Sequence, residues 1–390
     1  MAFGSGSSIS VGLSLLLLAS FVLINHIFQE KPVGLPNVGK STLFNALMEE
    51  SQAQAANFPF CTIEPNVGVV GVPDPKLDVL ADMSKSEKVV PTSLAFVDIA
   101  GLVAGASKGE GLGNKFLANI RECDAIVHVV RCFEDANIVH VDGSVDPLRD
   151  IDTINLELIL SDIEQIERTL QRAKKGKQSD QQKLLAGALE RIFEALNSDK
   201  PARFVELDPD EELAVKSLGL LTKKPVIYAA NVIDTDLSAG NEMVDKVRQF
   251  AGKEGAEVVI ISAQVESELV DLDPDERKEF LDDLGVKEGE SGLPALIRAA
   301  YKMLNLQTYY TTGPKETRAW TIKVGATAPQ AAGEIHTDFE KGFIRAETIG
   351  YDDLVKCGSE REAKEKGLMR SEGKEYVVKD ADVMLFRFNV

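Results

Sequence analysis

The run Gly34-Leu35-Pro36-Asn37-Val38-Gly39-Lys40-Ser41 constrains this chain more than any other feature, because it matches G-x-x-x-x-G-K-[ST] at every fixed position. Such a loop works only between a strand and a helix. Its glycines let the backbone curl until successive N–H groups point inward, and the following helix aims its positive dipole end at bound phosphates. The motif therefore predicts a nucleoside-triphosphate site in an α/β domain. Asn37, Val38, Gly39, Lys40, Ser41 and Thr42 are the phosphate-side candidates, with Lys40 reaching the β- and γ-phosphates and the Ser41 hydroxyl placed on Mg²⁺.

The rest of the pattern supplies that domain. Apolar runs at Val67–Val72, Ser93–Val97, Ala125–Cys132, Pro225–Ala230 and Glu257–Ile261 have strand length, and several are continuously apolar, as central parallel strands are. They predict a doubly wound α/β P-loop domain over residues 34–150 and 224–305. Between its halves, Ile151–Leu170 and Gln182–Leu196 carry apolar residues at helical spacing, which predicts an inserted helical hairpin over 151–223. Its connection is basic, with Arg168, Arg172, Lys174, Lys175 and Lys177 at or near the tip. After Leu306 the pattern changes to short strands, Arg318–Val324, Phe343–Ile349 and Asp382–Phe388, with a short helix near Tyr351–Lys356. A separate small α+β domain over 306–390 fits.

Composition sets limits on partners. A net charge of −19 argues against a DNA-binding protein or one that coats nucleic acid through its overall field, so any RNA contact has to be local. The four cysteines, at 61, 123, 132 and 357, have neither metal-ligand nor disulfide spacing, and a reducing compartment such as the cytoplasm fits. Residues 1–33 are atypical. Ile9–Phe28 contains no Asp, Glu, Lys or Arg and is just long enough to span a bilayer, yet it lacks the basic flank of a secretory leader and the Arg-rich character of a transit peptide. The phosphate loop begins only a few residues later, so a membrane anchor is not favoured. Were the segment a targeting signal, the location would be an organellar stroma or matrix.

Later motifs separate a switch-type triphosphatase from a kinase. Ser93–Val97 runs into Asp98-Ile-Ala-Gly101, where the aspartate is expected to hold Mg²⁺ through water and the Gly101 N–H to face the γ-phosphate. The loop Asn57–Pro65 offers Thr62 as a second hydroxyl ligand to Mg²⁺ when a γ-phosphate is present. Base recognition is expected from Asn231-Val232-Ile233-Asp234, a form of N-K-x-D in which Val232 replaces the lysine, with Ser262-Ala263 bracing the base. No lid-like arginine cluster of a small-molecule kinase is present.

The segments Gly34–Leu47, Ala55–Asn66, Phe96–Val103 and Gly105–Asn114 resemble the YchF-type, Obg-like ATPases of the translation-factor class of P-loop proteins, and the resemblance runs from Val33 to Val390. It implies a nucleotide domain, a coiled-coil-like insertion and a C-terminal TGS domain of ubiquitin-like β-grasp form. It further implies ATP hydrolysis with GTP as a poorer substrate, Mg²⁺ as cofactor, and a monomer that associates with the ribosome at its large subunit. The residue after Asp98-Ile-Ala-Gly101 is Leu102, which cannot orient water, and the family pattern assigns that task to a histidine matched here by His140. His128, inside the apolar strand, reads as an interior residue. Two departures stand out. Gln29-Glu-Lys-Pro-Val-Gly34 replaces a strand ending Gly-Ile-Val-Gly, and Pro32 removes a ladder donor, so either Phe21–Phe28 supplies the first strand or a foreign first exon precedes the domain, the second being favoured. Asp234 stands where the family commonly has glutamate. The rival reading is a ribosome-binding, nucleotide-dependent scaffold with negligible hydrolysis.

Overall fold

The computed structural model describes residues 29–33, 35, 37–54, 67–97, 120–138, 140, 143–173, 179–287, 289–290 and 292–389. The expectations for Thr62, Asp98, Gly101, Lys174, Lys175 and Lys177 lie outside them.

A six-stranded sheet carries the phosphate loop. Its strands are β1 (Gln29–Val33), β2 (Val67–Gly71), β4 (Ser93–Val97), β5 (Ala125–Arg131), β6 (Val226–Asn231) and β7 (Glu257–Ile261), in the spatial order β2-β4-β1-β5-β6-β7. All neighbours are parallel except β2, which runs antiparallel to β4. The central strands β5 and β6 are buried along their whole length, which is why they read as unbroken apolar runs.

Gln29–Val33 itself forms the first strand, between β4 and β5, with Glu30↔Phe96 on one side and Pro32↔Val127 on the other, while the alternative segment Phe21–Phe28 lies outside the described residues. Proline's fixed φ is compatible with extended backbone, and its penalty is one missing donor rather than a broken strand.

The inserted hairpin consists of helices Pro147–Ala173 and Asp180–Leu196. Ile159, Ile166, Leu189, Ile192 and Leu196 form its own core with Val215 and Leu220. At its base Asp162, fully buried, accepts from the backbone N–H of Leu221 (2.9 Å) and Thr222 (2.8 Å), from Thr222 Oγ1 (2.8 Å) and from Arg121 Nη1 (3.1 Å).

A second sheet holds β3 (Val89–Val90), β8 (Leu306–Thr311), β9 (Thr317–Lys323), β10 (Phe343–Gly350), β11 (Arg370–Glu372) and β12 (Asp382–Phe388) in the order β11-β10-β12-β8-β9-β3. Adjacent residues of β8 point to opposite faces. Tyr309 packs with Ala328, Ala331 and Ala332 of helix Ala328–Ile335, and Tyr310 packs with Leu77 and Leu80 of helix Pro75–Ser84. The sheet thus grips one helix of its own and one from the first half of the chain. Helix Pro75–Ser84 and β3 fall within the stretch 34–150 and pack on the sheet formed mainly by residues 306–390. Among the described residues no helix is long and apolar enough to cross a membrane.

Candidate nucleotide site

The phosphate loop leaves β1 and enters helix Lys40–Gln54, whose first turn closes with Leu43 N donating to Gly39 O at 2.9 Å. Two residues bend it. Asn37 sits at φ 61° and Gly39 at φ 90°, and a Cβ at Gly39 would run into Asn231 Nδ2. Glycine is therefore required twice over at that position, by conformation and by space. Lys40 is buried, whereas Ser41 and Thr42 are exposed at the helix start.

Asn231, the last residue of β6, ties the site together. Its Nδ2 donates to Val38 O at 2.8 Å and its Oδ1 accepts from Ala263 N at 2.9 Å, while only 3% of the residue is exposed. One buried amide thus joins the phosphate loop to the turn expected to brace the base. Ser262 is fully buried and caps helix Ala263–Leu269 through Val265 N at 3.4 Å. Asp234 is exposed and accepts from Thr235 N at 2.7 Å.

Val232, which stands where N-K-x-D has its lysine, lies in the main core: its N–H donates to Ile261 O at 2.9 Å and its side chain is 2% exposed. The backbone still follows the ladder direction there, and alternation turns the residue after Asn231 inward.

His140 is buried, with Nε2 2.9 Å from Asp150 Oδ2 at the start of helix Pro147–Ala173. His128 is also buried, its ring 5.5 Å from that of Tyr228, and burial followed by the nearby charge of Arg203 pushes its pKa down to about 3. Burial likewise pushes the Cys132 thiol up to about 12, with Asp150 adding to the shift, so it stays protonated and unreactive.

Sequence reasoning missed three supporting residues. Asp150 carries no motif and is found only by its contact with His140. Arg131 at the end of β5 is 1% exposed, and its guanidinium donates to the carbonyls of Phe133 (3.1 Å), Ile138 (3.0 Å) and Asp135 (3.4 Å), holding the loop that leads to His140. A charged residue closing an apolar strand was a signal that such a partner set existed. Glu266 is buried and accepts from Leu293 N at 3.2 Å, which fixes the helix behind Ser262 and Ala263.

No cluster of acidic, histidine or cysteine side chains able to hold a metal ion occurs among the described residues. A phosphate-bound Mg²⁺ does not need one. The Ser41 hydroxyl, on the exposed first turn of the helix behind a loop bent by Gly39, suits a protein hydroxyl ligand that such an ion takes beside phosphate oxygens.

The comparisons agree with this architecture. A family model described as 50S ribosome-binding GTPase matches residues 32–181, and the YchF-GTPase C-terminal model, described as a protein of unknown function, matches residues 306–389. The chain is 59% identical over 360 residues to the "Ribosome-binding ATPase YchF" of Haemophilus influenzae, covering 92% of this chain and 98% of that one. It is 54% identical over 362 residues, with the same shares covered, to the protein of that name from Bacillus subtilis. The solved structure of the Schizosaccharomyces pombe YchF GTPase superposes with a TM-score of 0.82 at 38% identity, covering 92% of this chain and 97% of that one. A phosphate loop tied to Ala263 by Asn231, in a chain alike to these proteins over almost their full length, places it in the YchF family of P-loop nucleoside triphosphate hydrolases.

Proposed function

We propose that this protein is an Mg²⁺-dependent triphosphatase that hydrolyses ATP, and GTP more weakly, and that it acts as a regulatory switch on the large ribosomal subunit as a monomer. The observation that carries the reading is the Asn231 bridge, which presents a preformed phosphate loop and base-side turn as one rigid unit. The relatives' shared name, ribosome-binding ATPase, supports the nucleotide and the partner. A switch of this kind works wherever ribosomes are, in the cytoplasm or in an organellar stroma or matrix.

The base preference follows from what is missing. N-K-x-D readers pack the lysine against guanine, and here that position is Val232, turned into the core. Asp234 retains a carboxylate at the surface, so guanine keeps one attraction and loses the other. Bound Mg²⁺ would neutralise charge on the phosphates, with Ser41, Thr62 and, through water, Asp98 as the residues to hold it. Lys40 holds the phosphate oxygens, and Gly101 supplies an N–H on the γ side. His140 positions the attacking water.

His140 rests on Asp150 and is shielded from solvent, and this favours a low intrinsic rate with hydrolysis awaiting displacement of the imidazole toward the nucleotide. It also keeps the scaffold alternative in play. Phosphate release measured with and without ribosomes decides between them. Turnover that rises on ribosome addition and is lost in Lys40→Ala supports the triphosphatase; no release under either condition leaves the scaffold, and GTP binding tighter than ATP by about tenfold, roughly 1.4 kcal/mol, overturns the base assignment.

A further inference from the structure

The chain between β2 and β4 makes an excursion. β2 begins at Val67, just after the loop bearing Thr62, and β4 ends at Val97, immediately before Asp98, the two strands pairing from Val67↔Val97 to Gly71↔Ser93. Between Gly71 and Ser93 the chain leaves the nucleotide sheet and enters the C-terminal one. Leu77 and Leu80 share a core with Tyr310, Ala319, Ile349 and Val383, and β3 extends β9 in parallel through Val89↔Thr317 and Val90↔Arg318. Polar contacts line the same seam. Tyr310 Oη donates to Asp74 Oδ2 at 2.7 Å, Thr312 Oγ1 lies 2.7 Å from Ser84 Oγ, Ser86 Oγ donates to Gly313 O at 2.8 Å, and Thr317 N donates to Lys88 O at 2.9 Å.

We propose that the segment Asp74–Val90 is a mechanical link through which the γ-phosphate state of the bound nucleotide sets the placement of the C-terminal domain. The proposal rests on reading Thr62 and Asp98 as the γ-phosphate-facing and Mg²⁺-facing positions. Both ends of the excursion then belong to strands adjoining those positions. β2 and β4 are paired along their length, so a displacement at either end moves them together. Close-packed interiors shift between discrete arrangements rather than deform gradually, and the helix, docked through buried Leu77, Leu80 and Ala81, therefore carries the displacement into β9 as a body. Linkage makes the effect reciprocal: whatever engages the C-terminal domain alters the preference for triphosphate over diphosphate.

The chain has one tryptophan, on the face of β9 opposite helix Pro75–Ser84, where it stacks on Tyr309. Trp320 of β9 donates to Thr311 Oγ1 at 2.9 Å and lies under the guanidinium of Arg318, 4.1 Å from its ring centre, and Arg318 is the register partner of Val90. The test uses the full chain with Mg²⁺ and either ADP or a non-hydrolysable ATP analogue, reading Trp320 emission and amide hydrogen exchange over residues 74–90. Binding is checked separately by displacement of a fluorescent nucleotide. The expected result is a change in emission between the two nucleotides, or a difference in exchange of about fivefold or more, the lower end of ordinary coupling strengths. Tyr310→Phe, which removes one hydroxyl, and Tyr310→Phe with Thr312→Val should shrink that difference while both nucleotides still bind. A difference that persists undiminished in the double variant would overturn the assignment to this seam. Binding of both nucleotides with neither emission nor exchange responding sinks the link alone, whereas failure to bind either one sinks the nucleotide reading and the link with it.

Discussion

Gly39 and Asn231 function as one contact, because the amide that bridges Val38 and Ala263 occupies the space a side chain at position 39 would need. Gly39→Ala should therefore weaken nucleotide binding by about 10- to 100-fold, from roughly 1–3 kcal/mol of backbone strain together with displacement of Asn231. Calorimetric titration checks this, and affinity within twofold of the parent, roughly 0.4 kcal/mol, would contradict it. His128 makes a different prediction. Its folded pKa is pushed down to about 3 while the unfolded chain keeps a value near 6.5, so below pH 6.5 the unfolded state binds a proton that the folded state refuses. Stability from this residue is complete above pH 6.5 and falls by about 1.4 kcal/mol per pH unit down toward pH 3. Denaturant midpoints across that range should drop more steeply for the parent than for His128→Gln; parallel curves would refute the assignment.

At the scale of elements, the hairpin is joined to the nucleotide domain by Asp162. Burial raises its pKa above the ordinary carboxylate value, and the N–H groups of Thr222 and Leu221, the Thr222 hydroxyl and Arg121 offset part of that rise. Asp162→Ala should lower stability by about 3–5 kcal/mol, because it leaves two backbone donors and the Thr222 hydroxyl without their buried acceptor and takes the charge partner from Arg121, which among the described residues keeps only Ser161 and Gly219. Thermal unfolding measures it, and a melting temperature within a degree of the parent would disprove the role. β1 shows how far an element tolerates a poor residue: Pro32 withholds a donor, yet the strand keeps its place between β4 and β5. A local rule marked Pro32 as a breaker, and long-range pairing outweighed it.

Across the whole molecule, the −19 charge makes the hairpin connection a local exception in sequence: Arg168 and Arg172 lie in the last turns of a 27-residue helix, and Lys174, Lys175 and Lys177 follow them along the chain. That helix reaches about 40 Å at 1.5 Å per residue. Replacing Lys174, Lys175 and Lys177 by Gln should weaken ribosome association and flatten its salt dependence, by a slope of about 0.7–0.9 for each phosphate that is no longer neutralised. Cosedimentation across a salt series with an unchanged slope would move the RNA-facing surface elsewhere. The motifs, their order, the buried strands and the hairpin helices were legible in sequence, because phosphate loops, buried parallel strands and amphipathic helices each depend on residues close together in the chain. Asn231 stood out from its motif, but its bridge was not legible, since Val38 and Ala263 lie far from it in sequence. Nor could Val232's inward turn, the Asp150 partner of His140, or the capture of residues 74–90 by the C-terminal sheet be read in advance. Each is decided by which surfaces meet after folding, and contacts between distant segments leave no periodicity along the chain.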